Sequence, residues 1–385
     1  ASLPGMSGDG LSVTVCEPPF CEGEEPAPSR SAATSAVHSR QEPGVSGTYL
    51  ADDIDEIEQP SVSEPDAAAG VLTNASHVVC VYDALSSSGR DWRWLLQWQQ
   101  AAVSEGGFRP SLVAYVDPGQ ISGALVEGEC DAAWMPAALG EPDWPASVSL
   151  EAPGGLPDFS HMDTVSQVLV NERSRDWLVS NESEVIGWLF AGQSYLFLSR
   201  APDGQHVASW FTGKVIGAVN EIQARMINEA GGTAARLDAI RATGAFNNGS
   251  IDGLFAPLAD YSILELFKGL QPDGVVIDFA FETGMRQLLA KANAFTSDQA
   301  SWSRAFFLAM QAEVPALLDE DRSSVPQDKL YEVSDDARAE GKVFLRDIRI
   351  HARDDGLYDQ RILALMRKVR CKLDASLAEC INPIE

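Results

Sequence analysis

Short apolar runs alternate with longer amphipathic stretches from residue 77 onward, and this alternation predicts the elements of the first half of the chain. Continuous apolar runs predict strands over HVVCVYD (77–83) and RPSLVAYVD (109–117). Amphipathic spacing predicts helices over DWRWLLQWQQAAVSEGG (91–107), which a Gly-Gly pair ends, and over ISGALVEG (121–128). The order strand, helix, strand, helix indicates a parallel sheet covered by helices.

A nine-residue phrase closes this cycle and a second one. GECDAAWMP (128–136) and GSIDGLFAP (249–257) share the pattern G-x-x-D-[AG]-x-x-x-P, which is typical of a turn that enters a short buried strand ended by Pro. The second cycle reads as the strand GKVIGAVN (213–220), the helix EIQARMINEAGG (221–232), and a turn and helix over AARLDAIRATGAFNNG (234–249). Ligands of open α/β sheets bind at the carboxyl ends of the strands, so two matched halves predict a ligand crevice between them.

Further strands and helices are predicted around and after the second cycle. EVIGWLFAG and SYLFLS (184–199) precede it as two strand-like runs, and GVVIDFAF and MRQLLAKANAF lead back toward the sheet within 260–310. Residues 311–385 are predicted to be helical. The helix over 361–377 has an apolar face of Leu363, Met366, Val369, Leu373 and Leu377, and a basic face of Arg361, Arg367, Lys368, Arg370 and Lys372. This basic face has two interpretations: a solvated helix face, or a surface that holds an acidic segment.

The net charge of the chain limits the kinds of partner that it can bind. With 56 acidic and 28 basic side chains among 385 residues, the net charge is -28. This excludes nucleic acid as a partner, because phosphate binding needs clustered Lys and Arg. Residues 1–70 hold 13 acidic and 2 basic side chains and 8 prolines, which predicts an extended acidic arm. Within it TYLADDIDEIEQP (48–60) is either a short amphipathic segment that docks on a surface or a solvated tether.

Six cysteines fall into three neighbourhoods, Cys16 with Cys21, Cys80 with Cys130, and Cys371 with Cys380. No zinc spacing is present, so disulfides are expected, although six cysteines allow about 15 connectivities. The chain opens Ala-Ser-Leu-Pro, as a mature exported product does, and it has no apolar run long enough to span a membrane.

Catalytic chemistry is not predicted. The five histidines, at positions 38, 77, 161, 206 and 351, show no metal spacing, and neither a phosphate-binding loop nor a nucleophile elbow is present. We therefore expect a non-enzymatic protein without a cofactor.

Several phrases together carry a family resemblance: VCVYDALSSSG, GECDAAWMP, YLFLS, GKVIGAVN, GAFNNGSIDGLFAPL and LELFKGL. In this order, over about residues 77–295, they resemble the periplasmic solute-binding proteins of TRAP-type transport. The more similar branch is a divergent one that carries the label of an RND-type efflux component for aminoglycoside resistance. The resemblance implies an α/β fold of the two-lobed, Venus flytrap type, here with an acidic N-terminal arm and C-terminal helices added.

The resemblance also implies domain boundaries and one departure from the family. The arm is expected over 1–75 and the two-lobed domain over 76–385, with lobe 1 at about 76–200, lobe 2 at about 201–285, and return strands and C-terminal helices at about 286–385. TRAP proteins carry a carboxylate-binding Arg in the strand that is here GKVIGAVN, and Gly217 occupies its place. A bidentate Arg is the strongest planar anchor for a carboxylate, so the usual organic-acid ligand is disfavoured.

Candidate ligand contacts lie at the predicted strand ends. They are Asp83, Ser87, Trp134, Met135, Gln193, Tyr195, Asn220, Phe255, Tyr261 and Arg286. Together they predict an aromatic, weakly polar cleft for an apolar or neutral solute. In the helix over 91–107, Trp94 and Trp98 share a face and Trp92 points elsewhere, which indicates packing under the arm or contact with a partner protein.

Two functions are compatible with these patterns. The first is a periplasmic or cell-envelope protein that captures a small molecule by closure of its lobes. The second is a binding-protein fold reused as a scaffold, tethered by its arm to envelope partners.

Overall fold

A nine-stranded sheet organises the part of the chain that the computed structural model describes, residues 76–140, 145–180 and 182–385. These residues belong to one compact unit, 61–385. The strands are β1 (Ser76–Tyr82), β2 (Arg109–Tyr115), β3 (Ala132–Pro136), β4 (Ser183–Leu198), β5 (Val215–Ala218), β6 (Thr233–Arg236), β7 (Gly253–Pro257), β8 (Val275–Lys291) and β9 (Leu330–Tyr331). Their order is β2-β1-β3-β8-β4-β7-β5-β6, and β9 pairs with β8. The acidic arm, its segment 48–60 and the pair Cys16 and Cys21 lie outside the described residues.

Two long antiparallel strands, β4 and β8, connect the halves of the sheet. They pair from Ser183 with Lys291 to Leu198 with Val275. The two strand-like runs predicted within 184–199 are therefore one strand, and so are the two runs over 274–295. The register shifts between Phe190 and Gly192, where Gly192 has a φ of 125° that disfavours other residues.

We call β4 and β8 the hinge strands. The strands formed by the two repeated phrases pair with opposite ends of them. β3 pairs with β8 up to Pro136 opposite Arg286, and β7 pairs with β4 up to Pro257 opposite Ser194. β1, β2 and β3 are mutually parallel, as are β5, β6 and β7. The predicted α/β fold with two matched halves is confirmed. Two predictions of local structure were wrong. β6 lies where a turn was expected, since this edge strand has no buried residue to mark it. β9 lies within 311–385, which was expected to be helical, because it pairs with β8.

Helices cover both faces of the sheet. They are α1 (Arg90–Ser104), α2 (Pro118–Glu127), α3 (Pro145–Leu150), α4 (Phe159–Leu169), α5 (Val207–Phe211), α6 (Glu221–Glu229), α7 (Ala239–Asn247), α8 (Asp260–Ile263), α9 (Ser297–Met310), α10 (Val314–Ser324), α11 (Asp335–Asp354), α12 (Gln360–Leu373) and α13 (Ala378–Ile381). Among the described residues, no helix is both long and apolar enough to cross a membrane.

An aromatic cluster fills the core of the first half. Trp94 and Trp98 are buried as their shared face predicts, and Trp92 packs against the same cluster while partly exposed. Trp134 stacks on Phe307 of α9 with ring centroids 5.0 Å apart. Burial of each such ring contributes about 2–3 kcal/mol, so α9 is an integral part of this half.

The start of α9 depends on a capping box. The Thr296 hydroxyl accepts a hydrogen bond from the Gln299 amide, and the Gln299 side chain accepts one from the Thr296 amide. Thr296→Ala is expected to lower the free energy of unfolding by about 1 kcal/mol, because one end of the box is lost. Urea titration measures this, with Thr296→Ser as the control that keeps the hydroxyl. An equal loss in both variants would contradict the role of the cap.

Two disulfides confirm two of the three predicted cysteine pairs. Cys80 in β1 is bonded to Cys130, which precedes β3. Cys371 in α12 is bonded to Cys380 in α13. The second bond holds α13 against the end of α12, which brings the acidic residues after 377 next to α12.

The predicted faces of the helix over 361–377 need correction. Arg370, assigned to the basic face, is 3% exposed, and Leu373, assigned to the apolar face, is 45% exposed. The buried ion pairs of Arg370 with Glu379 and Glu385 explain the first difference, because acidic residues beyond the helix fold back onto it. Arg361 is exposed as predicted and pairs with Asp359.

Candidate functional site

Charged side chains meet where the strands of both halves end. The first half supplies Tyr82, the last residue of β1, with Asp91 of α1 and Glu151 after α3, and the second half supplies Asp260, three residues after β7. Glu282 and Arg286 project from β8 between the halves. We call these six residues the inter-lobe cluster. Its members come from both halves, as a site closed by the hinge requires.

Arg286 is the cation of the inter-lobe cluster, and its position is held by Asp91. The Arg286 Nε donates to Asp91 Oδ1 at 3.1 Å, and the Trp134 indole Nε1 donates to the same oxygen at 2.6 Å. Burial raises the pKa of Asp91, while the Arg286 charge and the Trp134 hydrogen bond oppose this rise. Trp134 therefore orients the carboxylate that holds Arg286.

Three carboxyl groups of the cluster have strongly raised pKa values. Burial raises the pKa of Glu151 to about 8, helped by the charge of Glu282 and opposed by hydrogen bonds from the Met285 and Ala138 amides and by the charge of Arg286. Burial also raises the pKa of Asp260 and of Glu282 to about 7. Such groups mark functional sites more often than random surface positions do.

Hydrogen bonds fix two of these carboxylates. The Gln223 Nε2 at the start of α6 donates to Glu282 Oε2 at 2.8 Å, and Gln223 Oε1 accepts from the Val219 amide. Glu151 Oε1 accepts from the Met285 amide at 2.7 Å. No described residue donates a hydrogen bond to the carboxylate of Asp260. The second half thus contributes the side-chain amide of Gln223, which is held by hydrogen bonds, and the carboxyl group of Asp260, which accepts none from the described residues.

A groove of about 820 Å³ runs beside the hinge strands and reaches the inter-lobe cluster at Glu282. β4 contributes Gln193 and Tyr195 to its wall, and α11 contributes Arg338 and Lys342. Gln193 donates to the Pro157 carbonyl at 2.7 Å and accepts from the Tyr195 hydroxyl at 3.4 Å. The volume lies within the range of small-molecule sites. We call this space the hinge groove.

The ten sequence-predicted contacts fall into three groups. Arg286 belongs to the inter-lobe cluster, Trp134 contacts it through Asp91, and Tyr261 adjoins it in sequence after Asp260. Gln193 and Tyr195 line the hinge groove. The others serve the scaffold or the surface: Asp83, Ser87, Met135, Asn220 and Phe255.

The scaffold roles are specific. Asp83 accepts hydrogen bonds from the Leu85 and Trp92 amides, and Asn220 caps α6 through the Gln223 amide. Met135 and Phe255 are buried, and Ser87 is exposed. Sequence reasoning missed the four carboxyl groups of the cluster. Only Asp260 had a signal, its position three residues beyond the second repeated phrase.

Gly217 lies in packed surroundings. A Cβ atom added there would lie 3.0 Å from Ile251 Cδ1 and 3.2 Å from Ala242 Cβ. A larger side chain at this position requires its neighbours to shift. Within the described part of the chain, no group of three or more His, Cys, Asp or Glu side chains is arranged to hold a metal ion.

Comparisons with known proteins agree with this architecture. A family model described as solute-binding protein AdeT 1/2 matches residues 107–383. A probable solute-binding protein AdeT1 of Acinetobacter baumannii is 25% identical over 272 residues, which cover 70% of this chain and 89% of that protein.

Solved structures of TRAP periplasmic solute-binding proteins share the fold. The protein from Desulfovibrio salexigens with bound orotic acid has a TM-score of 0.64 at 12% identity, over 77% of this chain and 99% of its own. The protein from Rhodoferax ferrireducens with bound malonate has a TM-score of 0.62 at 14% identity, with the same coverage. At these identities the likeness shows the fold alone.

Proposed function

Because the chain belongs to the AdeT 1/2 family of solute-binding proteins, we propose that it binds a small solute between the two halves of its sheet, at the inter-lobe cluster, and does not catalyse a reaction. The observation that carries this proposal is the meeting of half-buried carboxyl groups of both halves, Glu151 and Asp260, near Arg286, with a groove of about 820 Å³ reached at Glu282. A solute there contacts both halves at once, so its binding favours the closed form of the hinge.

The place of the solute follows from the contacts that join the halves. Glu282 belongs to the inter-lobe cluster and to the wall of the hinge groove, and Gln223 of the second half fixes its orientation. Arg286 follows four residues later on the same strand and is held by the first half through Asp91. We therefore assign ligand contact to Glu282, Asp260 and Arg286, with Gln193 and Tyr195 on the groove side.

The setting is that of an exported protein. Two disulfides are typical of periplasmic or extracellular conditions, and solute-binding proteins of the TRAP type act in the periplasm. We propose periplasmic or envelope localisation with a small molecule as the primary partner. The scaffold function and its envelope partners depend on the acidic arm, which lies outside the described residues, so no observation favours them here.

The test is binding by the full chain. A thermal-shift screen of small neutral, anionic and cationic metabolites, followed by calorimetry, is expected to identify at least one ligand. Glu282→Gln is expected to weaken that ligand by about tenfold or more, as the loss of a hydrogen bond to a charged group does. Glu127→Gln, an exposed change of equal charge on α2, is the control. Unchanged affinity in Glu282→Gln would place the solute elsewhere.

A further inference from the structure

The disulfide between α12 and α13 clamps a buried ion pair. Cys371 directly follows Arg370 in α12, and Cys380 directly follows Glu379 in α13. The bond therefore joins the immediate neighbours of the two residues that form the pair, in which Arg370 Nε lies 2.6 Å from Glu379 Oε1. Both members of the pair are buried. The disulfide thus keeps the carboxylate of a four-residue helix against its arginine.

Arg370 passes this constraint to residues 151–157, which we call the hinge strap. Arg370 Nη1 donates to the Gly155 carbonyl at 2.8 Å. Arg349 Nη1 donates to the Pro153 carbonyl at 2.5 Å. Both arginines are buried, and both pair with the same acidic residues of the C-terminal segment. The position of the hinge strap therefore depends on the ion pairs that the disulfide clamps.

Other polar groups of the hinge strap bind the hinge strand β8. The Gly154 amide donates to the Phe281 carbonyl at 2.8 Å, and the Thr283 hydroxyl donates to the Leu156 carbonyl at 3.0 Å. The second of these hydrogen bonds is buried. A continuous series of ion pairs and hydrogen bonds thus runs from the disulfide to the middle of β8.

The two disulfides differ in their access to solvent. Cys80 and Cys130 are each 1% exposed, whereas Cys371 and Cys380 are half-buried. Thiol–disulfide exchange requires a thiolate to reach one of the sulfur atoms, so exposure favours attack on the bond between α12 and α13. This bond also spans 9 residues of sequence rather than 50, and the shorter loop makes the smaller entropic contribution to stability. The fold therefore depends less on this bond than on the buried one.

We propose that the Cys371–Cys380 disulfide is a redox-sensitive lock of the hinge, which a dithiol reductant opens. One thiolate of the dithiol attacks a sulfur atom of the bond and forms a mixed disulfide, and its second thiolate then displaces the remaining cysteine. The dithiol loses two electrons and becomes a disulfide. Cys371 and Cys380 gain these electrons and take up two protons from solvent to become thiols.

Opening the lock changes the hinge groove. Without the covalent bond, the ion pairs alone must order residues 374–385, and the conformational entropy of that segment opposes them. Leu377, Ala378 and Glu379 line one end of the hinge groove, so movement of α13 opens that end. The hinge strap is then held less firmly by Arg370. This inference goes beyond the proposed function and does not depend on which solute binds.

Graded reduction of the folded full chain tests which bond opens. The chain is treated with increasing dithiothreitol, free thiols are alkylated with iodoacetamide, and mass spectrometry identifies the alkylated cysteines. Cys371 and Cys380 are expected to react at about tenfold lower dithiothreitol than Cys80 and Cys130. If the buried bond opens at the same or a lower concentration, the lock is overturned.

Hydrogen exchange tests the connection to the hinge. After selective reduction, the Gly154 amide is expected to exchange about tenfold faster or more, because its hydrogen bond to the Phe281 carbonyl is held less firmly. The Val215 amide, which donates to Asp252 in the second half, is expected to keep its rate. An unchanged rate at Gly154 contradicts the connection, and an equal acceleration at both amides means a general loss of stability rather than a lock.

Variants of the oxidised chain separate the steps. Glu379→Gln keeps the disulfide and removes the charge that Arg370 binds, so it is expected to accelerate exchange at Gly154, whereas the exposed change Glu127→Gln is not. Cys371→Ser with Cys380→Ser is expected to reproduce the reduced state, and the reduced parent gives the same reading if that variant does not fold. No acceleration in Glu379→Gln overturns the path through Arg370. Because no solute is used, failure of these tests leaves the proposed function standing.

Discussion

Replacing Arg370 with methionine is expected to lower the free energy of unfolding by about 3–5 kcal/mol, because it removes one of the two cations that pair with two buried carboxylates. The Arg370 Nε and Nη2 donate to the two carboxylate oxygens of Glu379 at 2.6 and 2.9 Å, and Nη1 donates to the Gly155 carbonyl at 2.8 Å. The Glu385 carboxylate bridges Arg370 and Arg349, and its side chain is fully buried. Removing Arg370 therefore leaves Glu379 without its bidentate partner and leaves Arg349 as the one remaining cation of this network for both acids.

This network of ion pairs also supports the long strand β8. Arg349 of α11 donates to the Pro153 carbonyl, and Gly154 next to it donates its amide to the Phe281 carbonyl of β8 at 2.8 Å. The network thus holds α11, α12 and the segment around 153–155 against the centre of the long strand. Loosening it is expected to weaken the C-terminal helices and the wall of the hinge groove together.

Arg361→Met is the matched control for this prediction, because it removes an arginine from the same helix. Arg361 pairs with Asp359 at the surface, where its side chain is 53% exposed. Exposed pairs contribute about 0–1 kcal/mol, so this variant is expected to stay within about 1 kcal/mol of the parent. Denaturant unfolding followed by tryptophan fluorescence gives both values. If the two variants lose the same amount, the buried network does not contribute as inferred.

The sequence predicts the parallel halves well except for β6, because the other strands there are short, largely apolar runs bounded by turn residues. It predicts the hinge less well. Gly192 and the segment Glu282–Gly284 resemble turns, yet cross-strand pairing between β4 and β8 keeps both extended. Local composition favours a break at these points, whereas non-local hydrogen bonds decide against it.

The candidate site depends even more on distant contacts. Glu151 directly follows the short helix α3 and has no local sign of burial, but its carboxylate accepts a hydrogen bond from the Met285 amide, 134 residues later. Asp91 begins an amphipathic helix, where an acid is an ordinary first-turn residue, and only Trp134 and Arg286 make it part of a site. Arg286 is predicted as a contact because its side chain would return a positive charge to the cleft. Its acidic partners come from segments whose packing no short pattern reveals.

The protein is expected to be more stable at about pH 6.5 than at about pH 8.5, by about 2–3 kcal/mol in the absence of solute. Burial raises the folded-state pKa of Glu151 to about 8 and those of Asp260 and Glu282 to about 7, well above the ordinary values of 4.5 for Glu and 3.8 for Asp. The folded state therefore binds more protons than the unfolded state over this interval. The contribution is fully present below the unfolded pKa values and is lost as the pH rises through the folded ones.

The direction of this pH dependence of stability can be separated from the titration of His77. Burial lowers the pKa of His77, so this group reduces stability only below its ordinary pKa of 6.5, outside the chosen interval. Glu151→Gln keeps the oxygen that accepts from the Met285 amide and removes the titration, so it is expected to raise stability by about 1–3 kcal/mol more at pH 8.5 than at pH 6.5.

Glu127→Gln removes the same charge from the exposed surface of α2 and controls for the net charge of -28. Thermal and urea unfolding at both pH values compare the three proteins. A gain in Glu151→Gln that is the same at both pH values would mean that Glu151 does not hold a proton in the folded state. A smaller pH dependence in Glu151→Gln but not in Glu127→Gln would place that proton on Glu151, between the two halves of the sheet.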